Sequence, residues 1–121
     1  MKDFAPENKT VLVADDDMNL REYLRAVLER AGYNVIEACD GEEAVDKFLS
    51  NSSQIDLLVL DMRMPRKNGK DAFDEILQFK PNIKAIFISG SQDDVISGQA
   101  AFIPKPFSPQ ALLNHMSGIF N

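Results

Sequence analysis

Cysteine is nearly missing from this chain. Cys39 stands alone, so no disulfide framework can form, and the residue reads as a small buried hydrophobe. Histidine is equally scarce: His115 is the single one, off the apolar stripe of its helix and with no second nitrogen or thiol beside it, so it reads as a surface residue. Tryptophan does not occur. Positive charge is in deficit, with 13 Lys and Arg against 19 Asp and Glu and a formal net charge of −6, and no basic stripe is available to neutralise phosphates. Direct nucleic-acid binding is therefore not expected. The longest apolar runs are far too short to span a bilayer, and residues 1–10 are polar rather than a basic-then-apolar leader. No membrane association is expected, and the compartment implied is the reducing cytoplasm.

What is present suffices for one domain, since 45% of the 121 residues are hydrophobic. Residues 1–9, with Pro6, Asn8 and charges in no period, read as a flexible lead-in, and residues 10–121 as the domain. The clearest element lies in residues 55–69. Leu57, Leu58, Val59 and Leu60 run without polar alternation into Asp61, Pro65 and Gly69, which predicts a strand buried on both faces in the middle of a parallel sheet.

Residues 10–14 and 35–38 read as two earlier strands, each followed by a helix. The first helix carries Leu20, Leu24, Val27, Leu28 and Ala31 on one face, is capped by Asp17 and ends at Gly32. The second, from about Glu42, turns Ala44, Val45, Phe48 and Leu49 inward. A third helix buries Ala72, Phe73, Ile76 and Leu77 and stops before Pro81. Residues 84–89 and 101–103 are strands, and residues 109–120 form a closing helix with Leu112, Leu113, Met116 and Ile119 inward. The β-α order repeated five times implies an α/β fold, a parallel sheet with helices on both faces. Only residues 90–101 separate the fourth strand from the fifth, with Ser91 as cap and Gly98 as terminator, so a shortened fourth helix is expected.

In such sheets chemistry gathers at the carboxyl ends of the strands. The ends of strands one, three, four and five carry Asp15 and Asp16, Asp61, Ser89 and Lys105. Three converging carboxylates repel, and burial raises their pKa values further, so a cation must compensate. Oxygen-only donors open to solvent suit Mg²⁺, with Mn²⁺ as a substitute. The ion keeps Asp61 ionised as a nucleophile toward a phosphoryl group, Lys105 pairs with one phosphoryl oxygen, and Ser89 donates a hydrogen bond to another. Asp17 reads as a helix cap, and Arg66, Lys67 and Lys70 as a solvated loop.

These residues resemble the receiver domain of two-component response regulators, of the chemotaxis-regulator kind. The likeness rests on Val13-Ala14-Asp15-Asp16-Asp17, on Asp61-Met62-Arg63-Met64-Pro65 with Gly69, on Ile88-Ser89-Gly90, and on Phe102-Ile103-Pro104-Lys105-Pro106-Phe107, and it covers residues 10–120. It implies a flavodoxin-like, doubly wound sheet of five parallel strands in the order 2-1-3-4-5. Asp61 would be the phosphoacceptor, supplied by a phosphohistidine of a sensor histidine kinase or phosphotransfer protein. Asp16 and Asp61 would bind Mg²⁺ by carboxylate, Asp15 through water, and Arg63 by its backbone carbonyl. Ser89 and Phe102 would be the switch pair, although Phe102 reads equally well as ordinary core, and Lys105-Pro106 would be a cis peptide.

Two features depart from the family pattern: the short 90–101 segment, which bears on the output surface, and Arg63, whose side chain either is solvated or reaches the phosphoryl group. The chain would act by docking to a downstream protein, as a stand-alone regulator or as a receiver cut from a larger protein such as a hybrid histidine kinase, with a homodimer as a further option. A degenerate receiver that docks without phosphorylation is the alternative; the complete set of acids, hydroxyl and lysine speaks against it. A haloacid dehalogenase-type phosphohydrolase needs an acid two residues after its nucleophile, where this chain has Arg63. A flavin carrier needs a hydroxyl-rich loop after the first strand, where this chain has three acids.

Overall fold

The computed structural model describes residues 9–90 and 100–120. The run of branched residues that marks the sheet centre is β3 (Ile55–Asp61), and every residue from Leu57 to Asp61 is buried. Around it the chain forms β1 (Thr10–Ala14), α1 (Met18–Arg30), β2 (Asn34–Ala38), α2 (Gly41–Ser50), α3 (Gly69–Leu77), β4 (Lys84–Ser89), β5 (Ala100–Pro104) and α4 (Pro109–Phe120). All pairings are parallel, in the order β2-β1-β3-β4-β5, as the resemblance implied. The expectations for a lead-in before residue 9 and for a shortened helix within residues 91–99 lie outside the described residues.

Alternate side chains of each strand serve opposite faces. Leu12, Ala14, Leu58, Leu60, Ala85 and Phe87 pack with Ala44, Val45 and Phe48 of α2 and Ala72, Phe73 and Ile76 of α3. Val11, Val13, Leu57, Val59, Ile86 and Ile88 pack with Leu24 and Leu28 of α1 and Leu112 and Met116 of α4. Among the described residues two helices cover each face, removing both sides of the central strands from water, which is why those strands tolerate no polar alternation.

The helices that follow β1, β2 and β3 begin on a side-chain oxygen. Asp17 accepts from the N–H groups of Asn19 and Leu20, Asp40 from that of Glu43, and Asn68 from that of Asp71. These caps bind N–H groups that have no partner within the helix, and so fix where each helix leaves the sheet edge. The first helix ends as expected at Gly32, which takes a φ of 105°.

Two sequence expectations are corrected. Cys39 is exposed, because it follows the outermost strand β2 and its backbone N–H is drawn to Glu43. Leu49 is 44% exposed: α2 turns inward along Gly41, Ala44, Val45 and Phe48, and Leu49 falls at the margin of that stripe. Arg66 and Lys70 are exposed, in keeping with the solvated reading, and they form surface ion pairs, Arg66 with Asp40 and Glu42 and Lys70 with Asp74, while the half-buried Lys67 pairs with Glu75.

Gly41 and Gly118 make a contrasting pair. A Cβ on Gly41 would lie 1.8 Å from the Lys67 carbonyl oxygen, whereas one on Gly118 in α4 would meet nothing within 4 Å. Gly41→Ala is expected to destabilise the protein by about 1–3 kcal/mol, and Gly118→Ala to stabilise it by about 0.5–1 kcal/mol. Urea unfolding of both variants checks the opposite signs.

Candidate functional site

The site is assembled by strand register. Ala14 of β1 pairs with Leu60 of β3, so the next residues, Asp15 and Asp61, leave adjacent strands side by side. Asp61 in turn pairs with Ile88 of β4, and Ser89 pairs with Pro104 of β5, which sets Ser89 and Lys105 one step further along the same edge. One carboxylate oxygen from each of Asp15, Asp16 and Asp61 lies within 4.8 Å of the others. Lys105 Nζ stands 3.5 Å from Asp61 Oδ2.

Asp15 is held through its own N–H and one carboxylate oxygen. Its N–H donates to the Ala38 carbonyl at 3.1 Å, and its Oδ1 accepts from the Asp17 N–H at 2.9 Å. Its Oδ2 is buried with no hydrogen-bond partner. Asp61 Oδ1 accepts from the Arg63 N–H at 3.3 Å, which leaves Oδ2 to Lys105. Asp16 is exposed.

Burial and crowding act in the same direction on these acids. Burial pushes the Asp15 carboxyl up to about 6; the charges of Asp61 and Asp16 add to the rise, while the Asp17 N–H and Lys105 oppose it. Burial also raises Asp61, against the pull of Lys105 and the Arg63 N–H. A buried carboxylate oxygen without a partner is costly. A hard divalent cation would remove that cost and suits an all-oxygen set.

Asp15, Asp16, Asp61 and Lys105 are thus brought together as the sequence predicted. Ser89 is buried at the end of β4, and its carbonyl accepts the Lys105 N–H at 2.7 Å. The Lys105-Pro106 bond is cis, as expected. Arg63 is exposed and engages Asp61 through its own N–H. Phe102 lies opposite Phe87 and is half-buried against the core on the α2 and α3 side.

Two features were not foreseen. Arg21 donates from Nη1 to the Asp15 carbonyl at 2.7 Å, and the only cue in the sequence is a cation one helical turn after three acids. An apolar cleft of about 440 Å³ opens beside Lys105, lined by Leu20, Tyr23, Pro106 and Phe107.

Residues 11–117 match the response regulator receiver domain family. The chain is 37% identical over 118 residues to the chemotaxis protein CheY of Thermotoga maritima, covering 92% of this chain and 97% of that protein. It is 38% identical over 114 residues to the transcriptional regulatory protein CpxR of Escherichia coli, covering 90% of this chain and 48% of CpxR, so it spans about half of that regulator. Among solved structures it is similar to a chain of the CheX–CheY–BeF3–Mg²⁺ complex of Borrelia burgdorferi, with a TM-score of 0.86, 30% identity, and coverage of 93% of this chain and 90% of that one. Among the described residues no helix is long and apolar enough to cross a membrane.

The Asp15 shift has a pH signature. Below about pH 4 the acid is protonated in both the folded and the unfolded chain, and above about pH 6 it is ionised in both. Between these limits the fold holds a proton that the unfolded chain has released, so this group lowers stability as pH rises, by on the order of 2–3 kcal/mol in total. Asp15→Asn is expected to stabilise the metal-free protein near pH 7.5 and to flatten that slope. Added Mg²⁺ is expected to raise the wild-type melting temperature more at about pH 7.5 than at about pH 5. Thermal melts across pH, with and without Mg²⁺, check both outcomes.

Proposed function

Since the chain belongs to the response regulator receiver family of two-component signalling, we propose that its own reaction is acceptance of a phosphoryl group on Asp61 from a phosphohistidine. One observation carries this reading: the Asp61 carboxylate lies among two other acids and 3.5 Å from the ammonium of Lys105. A side chain engaged only in packing has no need of such a setting.

In the proposed step an Asp61 carboxylate oxygen attacks the phosphorus. The P–N bond to the donor imidazole breaks as the P–O bond forms, and the imidazole leaves with the electron pair. Asp15, Asp16 and Asp61, with the Arg63 carbonyl, would hold Mg²⁺ or Mn²⁺, which when bound offsets the negative charge that the acids and the phosphoryl oxygens bring together. Lys105 pairs with one phosphoryl oxygen as it leaves Asp61 Oδ2, and the Ser89 hydroxyl donates to another. Loss of the phosphoryl group is a separate step at the same residues, in which water attacks the phosphorus as the P–O bond to Asp61 breaks and the carboxylate is regenerated, so the domain acts on its own acyl phosphate rather than on an outside substrate.

Phosphorylation would be read out by Ser89 and Phe102. The hydroxyl moves toward the phosphoryl group, and the half-buried ring of Phe102 turns in behind it, changing the surface near β5. Residues 10–121 form the receiver unit on this reading. The phosphodonor is a sensor histidine kinase or phosphotransfer protein, and the output is docking to a downstream protein partner or to a second copy of the chain, in the cytoplasm.

Incubation with acetyl phosphate and Mg²⁺, followed by intact mass, tests the assignment. Wild type is expected to gain one PO3 unit and Asp61→Asn none; Lys105→Ala should lose most of the extent of labelling. Equal labelling of wild type and Asp61→Asn overturns the role of Asp61. A wild type that remains unlabelled, and whose NMR spectrum is unmoved by fluoroberyllate, favours the docking module that works without phosphorylation.

A further inference from the structure

Arg21 does not belong to the acid cluster, yet it binds the main chain on which that cluster is built. We propose that Arg21 is a positioning residue: by holding the Asp15 carbonyl it sets the direction in which the carboxylates of Asp15 and Asp16 face a divalent cation. This rests on the metal reading given above.

The geometry forms a short relay from β2. Arg21 lies one turn into α1 with its side chain 14% exposed, and its Nε donates to Glu37 Oε1 at 2.9 Å while Nη1 reaches the Asp15 carbonyl at 2.7 Å. Glu37 is itself fixed. Its other oxygen accepts from Arg25 Nη1 at 2.7 Å, and its backbone carbonyl accepts from Lys47 Nζ at 2.9 Å. The Asp15 N–H is bound to the Ala38 carbonyl on the same strand. Both peptide groups of Asp15 are therefore referred to β2, one directly and one through Arg21 and Glu37.

The consequence is directional. The Asp15 carbonyl and the Asp16 nitrogen share one rigid peptide plane, so fixing that carbonyl fixes where the Asp16 side chain begins. Asp15 Oδ1 accepts from the Asp17 N–H, whereas the buried Oδ2 has no hydrogen-bond partner and is left for a cation. A planar guanidinium can hold a carbonyl and a carboxylate at once in a fixed fork, which an ammonium on a flexible stem does less well. Groups that orient metal ligands in this way typically change metal affinity by about 10–100-fold when removed.

The test is Mg²⁺ titration followed by amide NMR for wild type, Arg21→Met, Arg21→Lys and Lys80→Met. Lys80 is the control for general loosening, because its Nζ ties the Ser52 and Ile55 carbonyls at the far end of β3. Arg21→Met is expected to weaken Mg²⁺ binding roughly tenfold and to shift the Asp16 amide nitrogen even without metal. Arg21→Lys should recover part of the affinity, and Lys80→Met should lower the melting temperature with Mg²⁺ affinity unchanged. Unchanged affinity in Arg21→Met, or an equal loss in Lys80→Met, overturns the proposal while leaving the metal reading intact. A wild type that gives no Mg²⁺ response overturns the metal reading, and this proposal with it.

Discussion

Negative charge gathered at one edge of a buried sheet is the constraint to which the rest of this structure answers. Asp15 and Asp61 emerge from neighbouring parallel strands, which run about 4.8 Å apart, and Asp16 follows directly. Such a cluster is unfavourable unless cations and N–H donors face it. The Lys105 ammonium, the N–H groups of Asp17 and Arg63, and a divalent ion where one binds together meet that demand. The same imbalance that penalises the isolated fold is the one that a bound divalent cation would relieve.

A cluster of this kind needs a rigid support, and the support is main chain more than side chain. Gly69 starts α3 so close to β3 that a Cβ there would lie 2.3 Å from the Asp61 carbonyl oxygen, and its N–H binds the Met62 carbonyl at 3.0 Å. The loop between β3 and α3 is pinned from the other side, where Gly41 of α2 admits the Lys67 carbonyl and Arg66, at a φ of 71°, reaches Asp40 and Glu42. This loop carries Arg63, whose N–H touches Asp61. Close backbone approach thus limits how far Asp61 can shift.

Much of the site was legible in the residues because buried parallel strands are uniformly apolar, so a polar residue at a strand end stands out. Asp15, Asp61, Ser89 and Lys105 were each found in that way. Cys39 was read less well, and the acid partners of Arg66, Lys67 and Lys70 were not foreseen. Whether a residue beside the edge strand is covered, and whether a loop cation meets an acid on the next helix, depends on packing between segments that local pattern does not encode. Arg21 was missed for the same reason: its partners are a backbone carbonyl and a β2 carboxylate sixteen residues away.

The sequence alone determined the α/β class, the order of the described elements and the chemistry available at the strand ends, since these follow from hydrophobic period, capping residues and side-chain type. Only the tertiary structure decided which strands are neighbours in fact and in what register, and hence that the acids and Lys105 stand within a few ångströms of one another. Register is a property of strand pairs, and distances across it arise only when helices on both faces have closed the sheet.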